Sequence, residues 1–165
     1  MKKLLFLALA LLLTLALVSC GEEEKQETVG MANPMVSYET LAQINEKVGV
    51  NMMKPGVMGV SDEAFFVVGE TVAQYNFKVA GYNYTFRAAN QKEDISGVWV
   101  DGKTVFDGNT EPFKIVTSET SKSCQFFVGD TQYVVTVDDE GKMEESNFEA
   151  ICDELKTTVE MKTGK

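Results

Sequence analysis

The chain has 165 residues, 44% of them hydrophobic, and carries 15 Lys+Arg against 25 Asp+Glu for a formal net charge of −10. That length suits one domain, burying roughly 70% of its unfolded surface. Histidine is absent, which excludes Ser-His-Asp and Cys-His catalysis, His-ligated zinc and imidazole acid–base chemistry, and the acidic balance argues against a nucleic-acid partner, whose phosphates call for Lys and Arg.

Lys2 and Lys3 open the chain, and Leu4 to Val18 follows as an apolar run broken only by Thr14. As a helix this run spans about 22 Å, short of the ~30 Å hydrocarbon core, so it reads as an export signal and not as a membrane span. Its end, Leu17-Val18-Ser19-Cys20, resembles the bacterial lipobox. The resemblance implies a lipoprotein signal peptide over residues 1–19, cleavage before Cys20, and acylation of the Cys20 sulfur, for example with palmitate. Two or three such chains anchor a protein stably, at about 0.8 kcal/mol per buried methylene. The expected location is the cell membrane, lipid-anchored, facing outside the cytoplasm. Residues 20–33 then comprise the lipidated Cys20 and the stretch GEEEKQETVGMAN, a flexible acidic tether. It buries too little to order itself, reaches roughly 20 Å, and is repelled by an anionic membrane surface. The expected folded domain is 34–165.

Ser37 is a candidate helix cap, with Glu39 in the first turn, Leu41, Ile44 and Val48 on one stripe, and Gly49 as the stop. Pro55-Gly56 marks a turn, and Met52, Met53 and Met58 around it read first as a core-edge loop and second as a thioether lip for a ligand or partner. Strict alternation follows. In Ala73 to Val79 the odd positions are apolar, and in Tyr82 to Ala88 the even ones are. A two-residue Ala80-Gly81 loop pairs Val79 with Tyr82, Phe77 with Tyr84 and Tyr75 with Phe86, which puts every apolar residue on one face. Upstream, Ala64 to Val68 joins through Gly69-Glu70 as a type II′ turn, with Phe66 and Val68 extending that face. Beyond a polar stretch from Ala89 to Gly97, strands are expected at Val98 to Val100 and Lys103 to Phe106 around Asp101-Gly102. Further strands are expected at Phe113 to Thr117, and at Lys122 to Val128 and Thr131 to Val137 around Gly129-Asp130. The chain closes with a predicted helix, capped by a Ser146/Glu149 box and striped by Phe148, Ile151, Cys152 and Leu155. The fold class is α+β: a curved antiparallel β-meander of about five to seven strands, packed by an N-terminal and a C-terminal helix.

The run Tyr82-Asn83-Tyr84-Thr85-Phe86-Arg87-Ala88, followed by a polar loop and Asp94-Ile95-Ser96-Gly97, resembles domain-of-unknown-function (DUF) family 4367. Such domains occur in lipoproteins and in extracytoplasmic parts of membrane proteins of Gram-positive bacteria. The likeness runs from about Met35 to Leu155 in order of elements, and it implies no catalytic residues.

Once Cys20 carries lipid, Cys124 and Cys152 are the remaining thiols. Both lie on predicted core faces, as a possible disulfide outside the cytoplasm or as two small buried hydrophobes. Asp138-Asp139-Glu140-Gly141 with Glu144 and Glu145 is the densest acidic cluster. Its spacing is not that of an EF-hand, and a solvated hairpin exit before a helix N-terminus is the simpler reading, with no metal. Asp94 to Gly97 is a polar loop site or a turn built from backbone-bonding side chains, the turn being preferred. Ser121-Lys122-Ser123 is no Ser/Lys dyad, because adjacent strand residues point to opposite faces. Asp101 and Asp107 read as turn residues. No cofactor follows from any of these. The expected function is a non-enzymatic binding or accessory module for a protein, peptide or apolar ligand; the alternative is an extracytoplasmic hydrolase using carboxylates alone.

Overall fold

The structure is a computed structural model, and it describes residues 34–100, 103–104, 106 and 113–164. The expected signal peptide, Cys20, the tether, Asp101, Asp107 and the Asp101-Gly102 turn lie outside the described residues.

The strands are β1 (Met35–Tyr38), β2 (Ser61–Val68), β3 (Val72–Val79), β4 (Tyr82–Ala89), β5 (Trp99–Val100), β6 (Lys103–Thr104), β7 (Phe113–Thr117), β8 (Ser121–Val128) and β9 (Thr131–Asp138), with helices α1 (Leu41–Val48) and α2 (Glu145–Thr163). Seven strands form one sheet in the order β1-β2-β3-β4-β9-β8-β7, every pair antiparallel. The molecule is α+β. Its sheet is two meanders, β1–β4 and β7–β9, zipped together along β4 and β9, and β5–β6 is a separate two-stranded ribbon.

The β3–β4 hairpin has the register that its alternation dictates, with Val79 opposite Tyr82, Phe77 opposite Tyr84 and Tyr75 opposite Phe86. Both loop residues, Ala80 and Gly81, take positive φ (51° and 87°), as a type I′ turn requires. The preceding hairpin departs from expectation. Val68 faces Val72, so the loop holds three residues, and Gly69 and Glu70 both have positive φ (56° and 66°) in place of a II′ turn. The extra residue, Thr71, shifts the pairing by one and reverses the faces. Phe65 and Val67, not Phe66 and Val68, therefore join the core. The Gly69 N–H also donates to the Pro34 carbonyl at 3.0 Å, which seats the start of β1 beside this turn.

One face of the sheet carries the main core. Phe65, Tyr75, Phe77 and Tyr84 stack in sequence with centroids 4.8–5.2 Å apart, and Phe86, Phe126 and Tyr133 continue the aromatic layer across β4, β9 and β8. Offset stacking of this kind adds roughly 0.5–1.5 kcal/mol per pair beyond burial. Both helices lie on this face, with Ile44 of α1 and Phe148, Cys152, Leu155 and Val159 of α2 buried. Thr40, not Ser37, caps α1. Its Oγ1 accepts from the Gln43 N–H at 3.3 Å, and Gln43 Oε1 accepts from the Thr40 N–H at 3.0 Å. Ser37 belongs to β1, an edge strand too short to show as an alternation. Helix α2 begins one residue before Ser146, and its N-cap Glu144 makes no side-chain cap bond, so the Ser146/Glu149 box does not form.

The opposite face is polar yet half covered. Gln74, Gln125 and Gln132 are buried there, because Gln91, Glu93, Ile95 and Phe106, from the chain crossing between β4 and β7, lie over this face. A second, smaller core of Ala89, Ile95, Phe106 and Val134 forms beneath the crossing. Gln132 lies 2.7 Å from Gln125, and with its amide nitrogen toward the crossing it donates to the Glu93 and Gln91 carbonyls at 2.9 and 3.2 Å.

Lys122 breaks the apolar pattern of the helix face and is buried with Asp139, their charges 2.5 Å apart. Asp139 also accepts from the Gly141 and Met143 amides at 3.0 and 3.1 Å, so the pair closes the turn from β9 into α2. Burial pushes the Asp139 carboxyl up, but the Lys122 ammonium and the two amides outweigh it, and its pKa falls below the ordinary 3.8.

Two outcomes follow for stability. Replacing Ala80, a β-carbon held in the left-handed region, by Asn should raise stability by about 0.5–1 kcal/mol in urea melts; an unchanged midpoint would refute strain at this turn. Asp139→Asn should cost about 3–5 kcal/mol by stranding a buried ammonium, and Lys122→Met in the same chain should recover most of it. Since the folded pKa of Asp139 is depressed, its contribution is complete above the ordinary carboxylate value and disappears as pH falls through the lowered one. Asp139→Asn alone should therefore converge with the wild type in acid, whereas the double variant, which has no ammonium to strand, should lose no stability there.

Candidate functional site

The crossing chain builds a concavity on the polar face. Asp94 Oδ1 accepts from the Ser96 N–H at 2.7 Å, Ser96 Oγ accepts from the Val98 N–H at 3.0 Å, and Asp94 Oδ2 accepts from the Phe106 N–H at 3.2 Å. The Asp-Ile-Ser-Gly stretch is thus a turn whose acid is consumed by backbone amides, as its residue types favour. Gly97 at φ 68° lies flat against Arg87, and a β-carbon there would sit 2.3 Å from Nη1. A larger residue would push the guanidinium away.

Among the described residues Arg87 is the one cation of the pocket wall. Its Nε donates to Gln74 Oε1 at 2.7 Å and its Nη1 to the Ile95 carbonyl at 2.9 Å. Both partners are neutral, and among the described residues no carboxylate lies within ion-pair distance of it. Nη2 has no partner among those residues. Burial lowers the Arg87 pKa from its ordinary 12.5, opposed by the nearby charge of Asp94. The cavity beside it holds about 350 Å³ and is lined by Thr71, Val72, Gln91, Ile95 and Trp99 as well as Arg87 and Asp94. Trp99, the only tryptophan in the chain, is 68% exposed. It also walls a neighbouring groove formed with Thr117 to Ser121, so its ring stands between two concavities. This arrangement can hold an anionic group against the guanidinium and a ring or apolar group against the indole.

A different cleft lies on the helix face between the β3–β4 turn and the start of α2. It has about 370 Å³ and is lined by Val79, Tyr82, Tyr84, Met143, Asn147 and Ile151. The Tyr84 hydroxyl approaches Met143 Sδ at 3.6 Å, and burial pushes its pKa up to about 12.

The residues singled out in the sequence are distributed otherwise. Met52 is fully buried, Met53 packs against the core and Met58 is 96% exposed, so the three form no common lip. The reason is that their loop is fastened to the fold. The Asn45 amide bonds both polar atoms of the Met52 backbone at 2.9 and 3.0 Å, and the Gly56 N–H donates to Glu154 at 2.6 Å. The acidic stretch after β9 is divided, Asp139 turning inward to Lys122 while Glu140 pairs with Lys142 at the surface. Among the described residues no group of three potential metal ligands gathers anywhere. Ser123 bonds Thr136 at 3.1 Å on the face opposite Lys122. Arg87 and Trp99 were legible only as a strand's polar side and a hairpin residue. The one available hint was a lone Trp following a polar stretch too long for a turn.

Cys124 and Cys152 do meet. Both are buried free thiols, and the Cys152 pKa is driven well above the ordinary 9.0 by burial and then by the Cys124 thiol beside it. Such thiols are unreactive. Iodoacetamide at mildly alkaline pH should leave both unlabelled in the native protein and label both after unfolding without reductant. Labelling that needs prior reduction would show the disulfide instead, and native labelling would contradict the burial. No protein-family model, curated protein or solved structure matches this chain.

Proposed function

We propose that this protein is a membrane-anchored extracytoplasmic lipoprotein whose α+β domain is a non-enzymatic binding or accessory module. The observation that carries the reading is Leu17-Val18-Ser19-Cys20 at the end of a short apolar run behind Lys2 and Lys3. An acylated Cys20 and an acidic spacer would hold the domain clear of the lipid surface. Among the described residues no helix is long and apolar enough to cross a membrane.

The cavity at Arg87 and Trp99 supports the binding half of the proposal, since it sets a cation that makes no ion pair among the described residues beside an exposed aromatic ring. The carboxylate-hydrolase alternative draws less support. A general acid needs a raised pKa, whereas the hydrogen bond from Lys54 lowers Glu63 against the effect of its burial, and Asp139 is lowered too. Resemblance to domain-of-unknown-function family 4367 is compatible with the proposal and adds no chemistry to it.

The test is metabolic labelling with palmitate in a bacterial host. The wild-type chain should take the label and fractionate with membranes, and Cys20→Ala should lose the label. A Cys20→Ala protein labelled as strongly as wild type, or an unlabelled wild type, would overturn the anchor.

A further inference from the structure

We infer that the Arg87–Trp99 cavity is a binding site for a monocarboxylate that carries a ring or apolar group. The inference rests on the binding-module reading of this domain and is independent of how the protein is anchored.

Charge chemistry comes first. A partly buried guanidinium is stabilised by an anion placed against it. Arg87 bonds the Gln74 and Ile95 oxygens and makes no ion pair among the described residues. The Asp94 charge acts on Arg87 from nearby, but its two oxygens accept from the Ser96 and Phe106 amides and make no ion pair with the guanidinium. Among the described residues the fold thus holds Arg87 from one side and leaves Nη2 without a partner, the geometry in which arginine recognises a carboxylate. Rigid placement is built in: Gly97 packs against the guanidinium where no side chain fits.

Selectivity for a single negative charge follows from the surroundings. The cavity wall offers one cation and includes the Asp94 carboxylate, in a chain of net charge −10. A doubly charged phosphate would meet one partner and two sources of repulsion, whereas a monocarboxylate is neutralised by Arg87 alone. The rest of the ligand faces Trp99, whose exposed ring is a platform for a sugar ring or an apolar side chain. Thr71 and Gln91 add polar contacts, and a cavity of about 350 Å³ has room for one small molecule or one terminal residue of a larger chain. A uronic acid and the C-terminal residue of a peptide share this chemistry.

Because Trp99 is the sole tryptophan, its fluorescence reads the site directly in the full-length protein. The probes are glucuronate against glucose, and N-acetylphenylalanine against its amide. At least one acid should give a saturable change in the millimolar range, with its neutral counterpart at least about tenfold weaker. The acid that saturates identifies the source. Arg87→Gln should weaken binding by about tenfold or more. Arg87 also bridges Gln74 and Ile95, so an independent variant is included: Trp99→Ala, at an exposed position, followed by calorimetry, should weaken binding while leaving the melting temperature unchanged. No saturation by either acid, equal binding of acid and neutral partner, or undiminished binding by Trp99→Ala would overturn the site. Any of these would leave the palmitate result at Cys20 untouched.

Discussion

The pairing of β4 with β9 is the contact on which the rest of the molecule depends. Among the described strands it is the only pairing in the large sheet between strands that are not consecutive in the chain. Tyr84 lies opposite Val137 and Phe86 opposite Val135, so the apolar faces of two local meanders merge into one surface wide enough for two helices. The same pairing forces the intervening chain over the other face. The core, the buried glutamines and the Arg87 cavity are therefore three results of one non-local junction.

The two faces solve different problems. On the helix side, burial is apolar and aromatic, interrupted by the Lys122–Asp139 pair where the chain must turn into α2. Such a pair contributes less as net stabilisation than as a penalty on every arrangement that separates it. On the crossing side, amide and hydroxyl groups are buried in bonded sets, such as Arg87 with Gln74 and Ser123 with Thr136. Groups of this kind tolerate few alternative packings, which suits a face that has to fix the position of a cation.

Much of the local structure was legible because period-two alternation and tight loops carry their own register. Val79 against Tyr82 needed no knowledge of the rest of the chain. The neighbouring hairpin failed on one residue: Thr71 looks like the start of a strand but belongs to the loop, and a single-residue slip exchanges Phe65 for Phe66. The caps failed similarly, since Ser37 and Ser146 have capping side chains but Thr40 and Glu144 occupy the positions. Met52 was unreadable for another reason. Its burial depends on Asn45, Glu154 and the loop between them, and no short pattern encodes such long-range fastening. The crossing was visible only as a polar interval, so neither the covered glutamines nor the placement of Arg87 against Gly97 was legible from local spacing.

The hydrogen bond from Gly69 to Pro34 ties the start of β1 to the cavity. Gly69 and Thr71 form part of the cavity wall, and Pro34 is where the described chain begins. A substitution that breaks this bond would therefore act on the rim of the cavity directly, without passing through the aromatic layer.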